Sequence, residues 1–167
     1  MLKFRSLYSG STGISLYVES DNTKILIDSG VSMKKLTSAL TSNDVDVSDI
    51  DAILVTHEHS DHVQSLGMIS SKYNIPVYAN RKTWDAMPKQ KDKISELNQK
   101  FFVSYEKFEI GDLVIDPFSI PHDAADPCGF NITNNDDKIS IATDIGHMTN
   151  DIVNKLDGSS FVLLESN

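Results

Sequence analysis

The segment Thr56-His57-Glu58-His59-Ser60-Asp61-His62 places three imidazoles and two carboxylates within the six positions 57 to 62. Imidazole and carboxylate are ligands that suit zinc and similar divalent ions, whereas most structural zinc sites would add thiolate, and this segment has no cysteine. In an extended or loop conformation His57, His59 and Asp61 alternate to one side, and a helix beginning near His62 turns that ring back towards them. One short segment can then supply ligands to two neighbouring ions. Capping of a helix would account for Ser60 or Asp61 but leaves the three histidines without a role.

Potential ligands recur at the ends of apolar, β-rich runs. Asp28 follows Ile25-Leu26-Ile27, His57 follows Ala52-Ile53-Leu54-Val55-Thr56, His122 follows the run 113–121, and Asp144 follows Ile139-Ser140-Ile141-Ala142-Thr143. Each alone reads as a turn or loop residue. Strands lying side by side deliver the residues after them to one edge of a sheet, so together these segments point to one site.

The elements that must position this site can be read in outline. Residues 16–18 and 24–28 form a hairpin, preceded by the small-residue loop Ser9-Gly10-Ser11-Thr12-Gly13, which lacks the lysine and following helix of a phosphate-binding loop and reads as a turn. A helix is expected over 31–42, where Met33, Leu36 and Leu40 share a face, and a second over 62–73, with Val63, Leu66, Ile69 and Tyr73 at helical spacing. Between them, 43–51 is an acidic connection. A strand over 75–79 and a short helix over 81–87 precede 88–100, a polar, lysine-rich surface excursion without clear period. Strands over 100–103 and 107–110 flank a turn, 113–120 is a strand, 129–133 and 138–144 bracket the turn signal Asn134-Asn135-Asp136-Asp137, and a helix over 149–156 and a strand over 161–164 follow.

With 167 residues the chain suits one domain with a sizeable core. No apolar run approaches the ~20 residues that span a bilayer, and the N-terminus has basic residues without a signal-like apolar stretch behind them, so a cytoplasmic protein without membrane association is expected. Cys128 is the single cysteine, which excludes an internal disulfide. A net charge of −9 argues against a general electrostatic grip on nucleic acid but not against a local one, because bound divalent ions would supply positive charge inside the site.

The pattern His57-x-His59-x-Asp61-His62, with Asp28 before it and His122 and Asp144 after it, resembles the metallo-β-lactamase superfamily. Further motifs narrow the resemblance: Ser9-Gly10-Ser11-Thr12-Gly13, Tyr78-Ala79-Asn80 with Thr83-Trp84, His122-Asp123-Ala124 with Asp126-Pro127, and Thr143-Asp144-Ile145-Gly146. These are similar to the YycJ/WalJ (VicX) group of that superfamily, which is nuclease-like. The resemblance implies an α/β (α+β) fold, the αββα sandwich of the superfamily, present only in part. It implies that His57, His59 and His122 hold a first ion, that Asp61 and His62 hold a second, that Asp144 bridges them, and that Asp28 supports the cluster from behind. Asp61, His62 and Asp144 are the residues it makes catalytic.

The implied cofactors are two divalent ions, zinc or manganese, with iron as a third option, and the implied activity is hydrolysis of phosphodiesters, with DNA as substrate of an exonuclease. Lactone, ester and thioester hydrolysis occur on the same fold. One departure is visible. The family carries a further histidine late in the chain, whereas here only His147 follows Asp144, in a context that does not match, and it reads as an exposed loop residue. A single domain over 1–167 lacking its C-terminal portion is therefore expected. Such a form could bind metal without turnover, and its uncovered strand edges would favour a homodimer.

Overall fold

A computed structural model describes residues 1–166, and its layers follow from the alternation of apolar side chains along the strands. The first sheet contains β1 (Lys3–Tyr8), β2 (Ser15–Glu19), β3 (Lys24–Ile27), β4 (Ala52–Leu54), β5 (Val77–Ala79) and β6 (Gln99–Phe101) in that spatial order. It is antiparallel from β1 to β3 and parallel from β3 to β6. The second contains β7 (Phe108–Ile110), β8 (Leu113–Ser119), β9 (Cys128–Asn134), β10 (Asp137–Ile145) and β11 (Phe161–Ser166), ordered β11-β10-β9-β8-β7. Only the β10–β11 pair is parallel there.

Successive strand residues point to opposite faces. In the first sheet Tyr17, Leu26 and Ile53 bury against helices α1 (Met33–Ser42) and α3 (Leu66–Tyr73), while Leu16, Val18, Ile25, Ile27 and Leu54 meet Leu113, Ile115, Phe130, Ile132 and Ile141 of the second sheet. Beneath α6 (Asn150–Leu156), Phe118, Ala142 and Ile145 pack on Ile152. The order is helices, sheet, sheet, helix, which is the sandwich expected from the resemblance. No helix among the described residues is long and apolar enough to cross a membrane.

Several boundaries differ from the sequence expectation. The helix expected over 62–73 is two pieces, α2 (Ser60–Val63) and α3, because Ser65 leaves helical geometry to hydrogen-bond Ser29: its N–H donates to the Ser29 carbonyl at 3.0 Å and the two hydroxyls lie 2.6 Å apart. The residues expected to flank one turn, 100–103 and 107–110, go to different sheets, so that turn crosses the sandwich. The excursion 88–100 holds a helical turn, α5 (Pro88–Lys91), after α4 (Arg81–Asp85), with proline at its start, where the missing N–H costs nothing. The edge strand β1 had no counterpart in the sequence reading; it alternates exposed Lys3 and Arg5 with half-buried Phe4, a charged edge that discourages pairing with other chains.

Candidate metal centre

The parallel strands β3 and β4, and β8 and β10, which point the same way on either side of the antiparallel β9, all run towards one rim of the sandwich, and the candidate ligands gather there. Asp28 follows β3 directly, His57 lies three residues beyond β4, and His122 three beyond β8. Asp144 does not follow its strand as expected. It lies inside β10, where the register against β11 shifts between Ala142 and Ile145 and its φ is 55°. Such a bulge re-aims a side chain, and here it turns Asp144 towards the histidines.

The cluster segment also differs from a simple extended run. His57 leaves β4 and His59 caps α2 with extended backbone, but Asp61 already lies in the first turn of that helix, which begins at Ser60 and not at His62. The short helix is held from outside: the Asp61 carbonyl accepts from Ile14 N–H (2.8 Å) and the His62 carbonyl from Ser29 N–H (2.8 Å). Gly30 is required by this closeness, since a Cβ there would stand 1.7 Å from the Asp61 carbonyl oxygen. The small-residue loop 9–13 therefore leads into the strand that braces the cluster and is the turn it was expected to be.

Two groups of donor atoms form, each with all its atoms within 4.8 Å of one another: His57, His59 and His122 in one, His57, His62 and Asp144 in the other. Ring centroids of His57 lie 4.7, 4.0 and 4.9 Å from those of His59, His62 and His122. Asp144 Oδ2 lies 2.7 Å from His62 Nε2 and 3.6 Å from Nε2 of His57, the residue that the two groups share. The 2.7 Å approach is an ion pair while His62 carries its second proton, although its geometry is not that of a hydrogen bond. The buried Nε2 of His57 makes no hydrogen bond either. Asp61 belongs to neither group; its carboxylate is 40% exposed and 3.8 Å from His62 Nε2. His147 is exposed and lies outside both.

Behind the ligands the polar groups are paired. Asp28 is fully buried and takes three hydrogen bonds: from Thr56 N–H (2.8 Å), from the Thr56 hydroxyl (2.7 Å) and from His62 Nδ1–H (2.6 Å). A buried carboxylate is tolerated only when so satisfied. Having given its hydrogen to Asp28, the Thr56 hydroxyl can accept from Nδ1–H of His57, 3.0 Å away. Both imidazoles are thus fixed at Nδ1, which aims each Nε2 into the cluster; that of neutral His57 presents a lone pair there, and that of His62 does so once it gives up its second proton.

Their titration differs in direction. Burial, then the neighbouring His62 charge, pushes His57 down to about 3, so it is neutral and a ready ligand at ordinary pH. At His62 burial acts downward too, but the Asp28 charge and hydrogen bond, with Asp61 and Asp144, outweigh it and raise the pKa to about 9. An ion binding at His62 must displace a proton. Nitrogen and carboxylate donors converging without hydrogen-bond alignment, backed by oriented Nδ1 atoms, fit divalent metal. Cys128 is not a donor to either group; its thiol is buried, lies 3.5 Å from the Thr56 carbonyl, and is pushed far up by burial.

Three residues without a role in the sequence reading hold the His122 loop. Glu58 Oε2 accepts from Ala125 N–H (3.0 Å), Asn80 donates to the Asp126 carbonyl (2.8 Å) while its Oδ1 caps α4 at Thr83 N–H (2.9 Å), and Gly146 N–H donates to the Pro121 carbonyl (2.6 Å). Asn80 carried a signal, an Asn-x-x-Thr cap after a strand. The Glu58 contact spans 67 residues and has no local signature.

Comparison with known proteins agrees with this architecture. Residues 23–167 match the model of the β-lactamase superfamily domain. The chain is 40% identical over 99% of its length to exodeoxyribonuclease YycJ of Bacillus anthracis, and 36% identical over 99% to exodeoxyribonuclease WalJ of Streptococcus pneumoniae. It spans 63% and 62% of the length of those relatives. Among solved structures, the metallo-β-lactamase-fold protein YhfI of Bacillus subtilis superposes with a TM-score of 0.77 at 16% identity, covering 96% of this chain and 69% of that one. The chain therefore belongs to the β-lactamase superfamily domain family.

Proposed function

We propose that the chain is a metal-dependent phosphodiesterase acting on DNA, an exonuclease like the two relatives it resembles, and that residues 1–167 work as one metallo-β-lactamase-fold domain. The observation that carries this reading is the pair of adjoining donor groups sharing His57, with Asp144 in the second and 3.6 Å from that shared histidine. In it His57, His59 and His122 would hold one ion, Asp61 and His62 would hold a second, and Asp144 would serve both. Two divalent ions bound there, zinc or manganese, or alternatively iron, would lower the pKa of a water and neutralise charge on the attacking and leaving oxygens of a phosphodiester.

The chain's own residues do the rest. Asp28 takes the Nδ1 proton of His62 in a hydrogen bond and so presents Nε2 forwards. Thr56 does the same for His57, and Glu58 and Asn80 hold the loop that brings in His122. Asp61 is open to solvent over 40% of its side chain. A cytoplasmic setting suits the buried, unpaired Cys128.

The deciding experiment loads the protein with zinc or manganese and offers single- and double-stranded DNA. Shortening of labelled strands from an end supports the reading; intact DNA of both kinds sinks it. A second reading, metal binding without turnover, draws on Asp61 standing outside both groups. Elemental analysis separates the two: one ion per chain without hydrolysis favours the second, two ions with hydrolysis removes it. Self-association is a separate part of the proposal, motivated by Phe161, Val162 and Leu164, which are exposed on the edge strand β11. A monomer by light scattering would remove that part.

A further inference from the structure

A groove of about 330 Å³ opens beside the metal centre, between the cluster segment and the α4–α5 turn. Its inner wall is Glu58 and Ser60, the residues on either side of His59, together with Val63 of α2; its outer wall is Ala86, Met87 and Pro88, and Lys89 stands exposed at the rim. The volume is at the lower end of the small-ligand range, suited to a single nucleoside and not to a folded partner.

Lys89 is the one cation of its lining and faces Glu58 across the groove, and the stretch that supplies the outer wall is the locally basic part of the chain. Residues 81–100 carry Arg81, Lys82, Lys89, Lys91, Lys93 and Lys100 against Asp85, Asp92 and Glu96, in a chain whose net charge is −9. This is the lysine-rich stretch that the metal centre leaves without a role. Its position is fixed by packing: Gln90 Oε1 accepts from Gly67 N–H (2.8 Å), and Gly67 comes so near that a Cβ would meet Lys93 Cβ at 2.8 Å. The outer wall is therefore docked on the helix that follows the cluster, and the groove is formed in advance.

We propose that this groove is a polynucleotide subsite. The nucleoside next to the scissile phosphate packs its base and sugar against Ala86, Met87, Pro88 and Val63, and Lys89 neutralises the following phosphate. The apolar outer wall takes any base, so the subsite grips a strand without reading its sequence. This rests on the phosphodiesterase reading and adds which face of the protein the strand crosses.

The test measures binding of a fluorescein-labelled single-stranded phosphorothioate oligonucleotide, which resists cleavage, to the metal-loaded chain by anisotropy over a range of salt. Lys89→Ala is expected to weaken binding of all sequences alike and to lower the slope of log affinity against log salt by about 0.7. Ala86→Glu, also at an exposed position, puts a carboxylate in the groove and is expected to weaken binding about tenfold or more. Wild-type binding that neither substitution changes overturns the subsite, as does absence of wild-type binding. Hydrolysis of bis(p-nitrophenyl) phosphate by the wild-type protein reports on the phosphodiesterase reading alone. Turnover of that small ester with Lys89-independent strand binding rejects the subsite only; no turnover of any phosphodiester rejects the function reading.

Discussion

At the rim where β3, β4 and β8 end, buried ring nitrogens face a carboxylate without hydrogen-bond alignment; at the opposite rim, where β3 and β8 begin, another aspartate has every partner it needs. There Asp112 accepts from the Ser20 and Thr23 hydroxyls (2.5 and 2.7 Å) and from Asn134 Nδ2 (3.2 Å), and its own N–H donates to Thr23 Oγ1 (3.3 Å). This clamp joins the turn after β2 to the turn before β8 and so ties the two sheets together. Both rims are polar clusters built on strand ends. Only one leaves donor atoms converging on space between them, and that residue of unmet bonding separates a ligand site from a structural joint.

The largest expected contrast comes from His59→Ala. Elemental analysis should find the first ion lost and DNA hydrolysis at background, while the unfolding free energy of the metal-free protein changes by no more than about 0.5 kcal/mol, because no intramolecular bond of the kind found in the clamp is broken. Substantial destabilisation of the metal-free form would erase the distinction between the rims.

Asp28→Asn sharpens the comparison next. Metal affinity should fall about 10–100-fold, the usual cost of removing a carboxylate that orients a ligand histidine. In the metal-free protein the raised His62 pKa contributes stability in full below the ordinary histidine value of 6.5 and loses it as pH rises through about 9. Affinity for the second ion should accordingly climb about tenfold per pH unit up to that point, as one proton is displaced. In the Asp28→Asn variant the climb should stop at lower pH, which calorimetric titrations at several pH values would detect.

Glu58→Ala releases the Ala125 N–H and with it one hold on the His122 loop, so first-ion affinity should fall about tenfold, far less than for His59→Ala. Equal losses would mean that Glu58 itself binds metal. The smallest effect on function belongs to the clamp. Asp112→Asn should leave metal stoichiometry and hydrolysis unchanged and lower only the thermal midpoint. The Ser20 and Thr23 hydroxyls hold the Asp112 carboxyl below its usual 3.8, so the stability difference from wild type is complete above that pH and closes as pH falls through the lower folded value.

The site was legible in the sequence where chemistry is local. Six positions of 57–62 announce metal, and the apolar runs ahead of Asp28, His57 and His122 announce strands that carry them to one rim. What was not legible depends on partners far away. Residues 100–103 and 107–110 carry the same β signal whether they pair with each other or join separate sheets, because side-chain alternation says nothing about which edge a strand meets. The break at Ser65 was hidden because the apolar spacing of Val63, Leu66 and Ile69 runs through it, while its cause, Ser29, lies 36 residues away. The Asp144 bulge was hidden for the same reason: Ile139 to Thr143 reads as a strand that ends at Asp144, and its continuation to Ile145 shows only in the pairing with β11.

Asp28 and Asp144 have φ of 66° and 55°, the left-handed region that few side chains other than asparagine and aspartate enter without strain. At these two positions the backbone screens substitutions before chemistry does. Asparagine or glycine would be the replacements that keep the fold most cheaply there, whereas the histidines face no such filter. Asparagine at either position beside intact histidines would thus alter the donor set while leaving the backbone as it is.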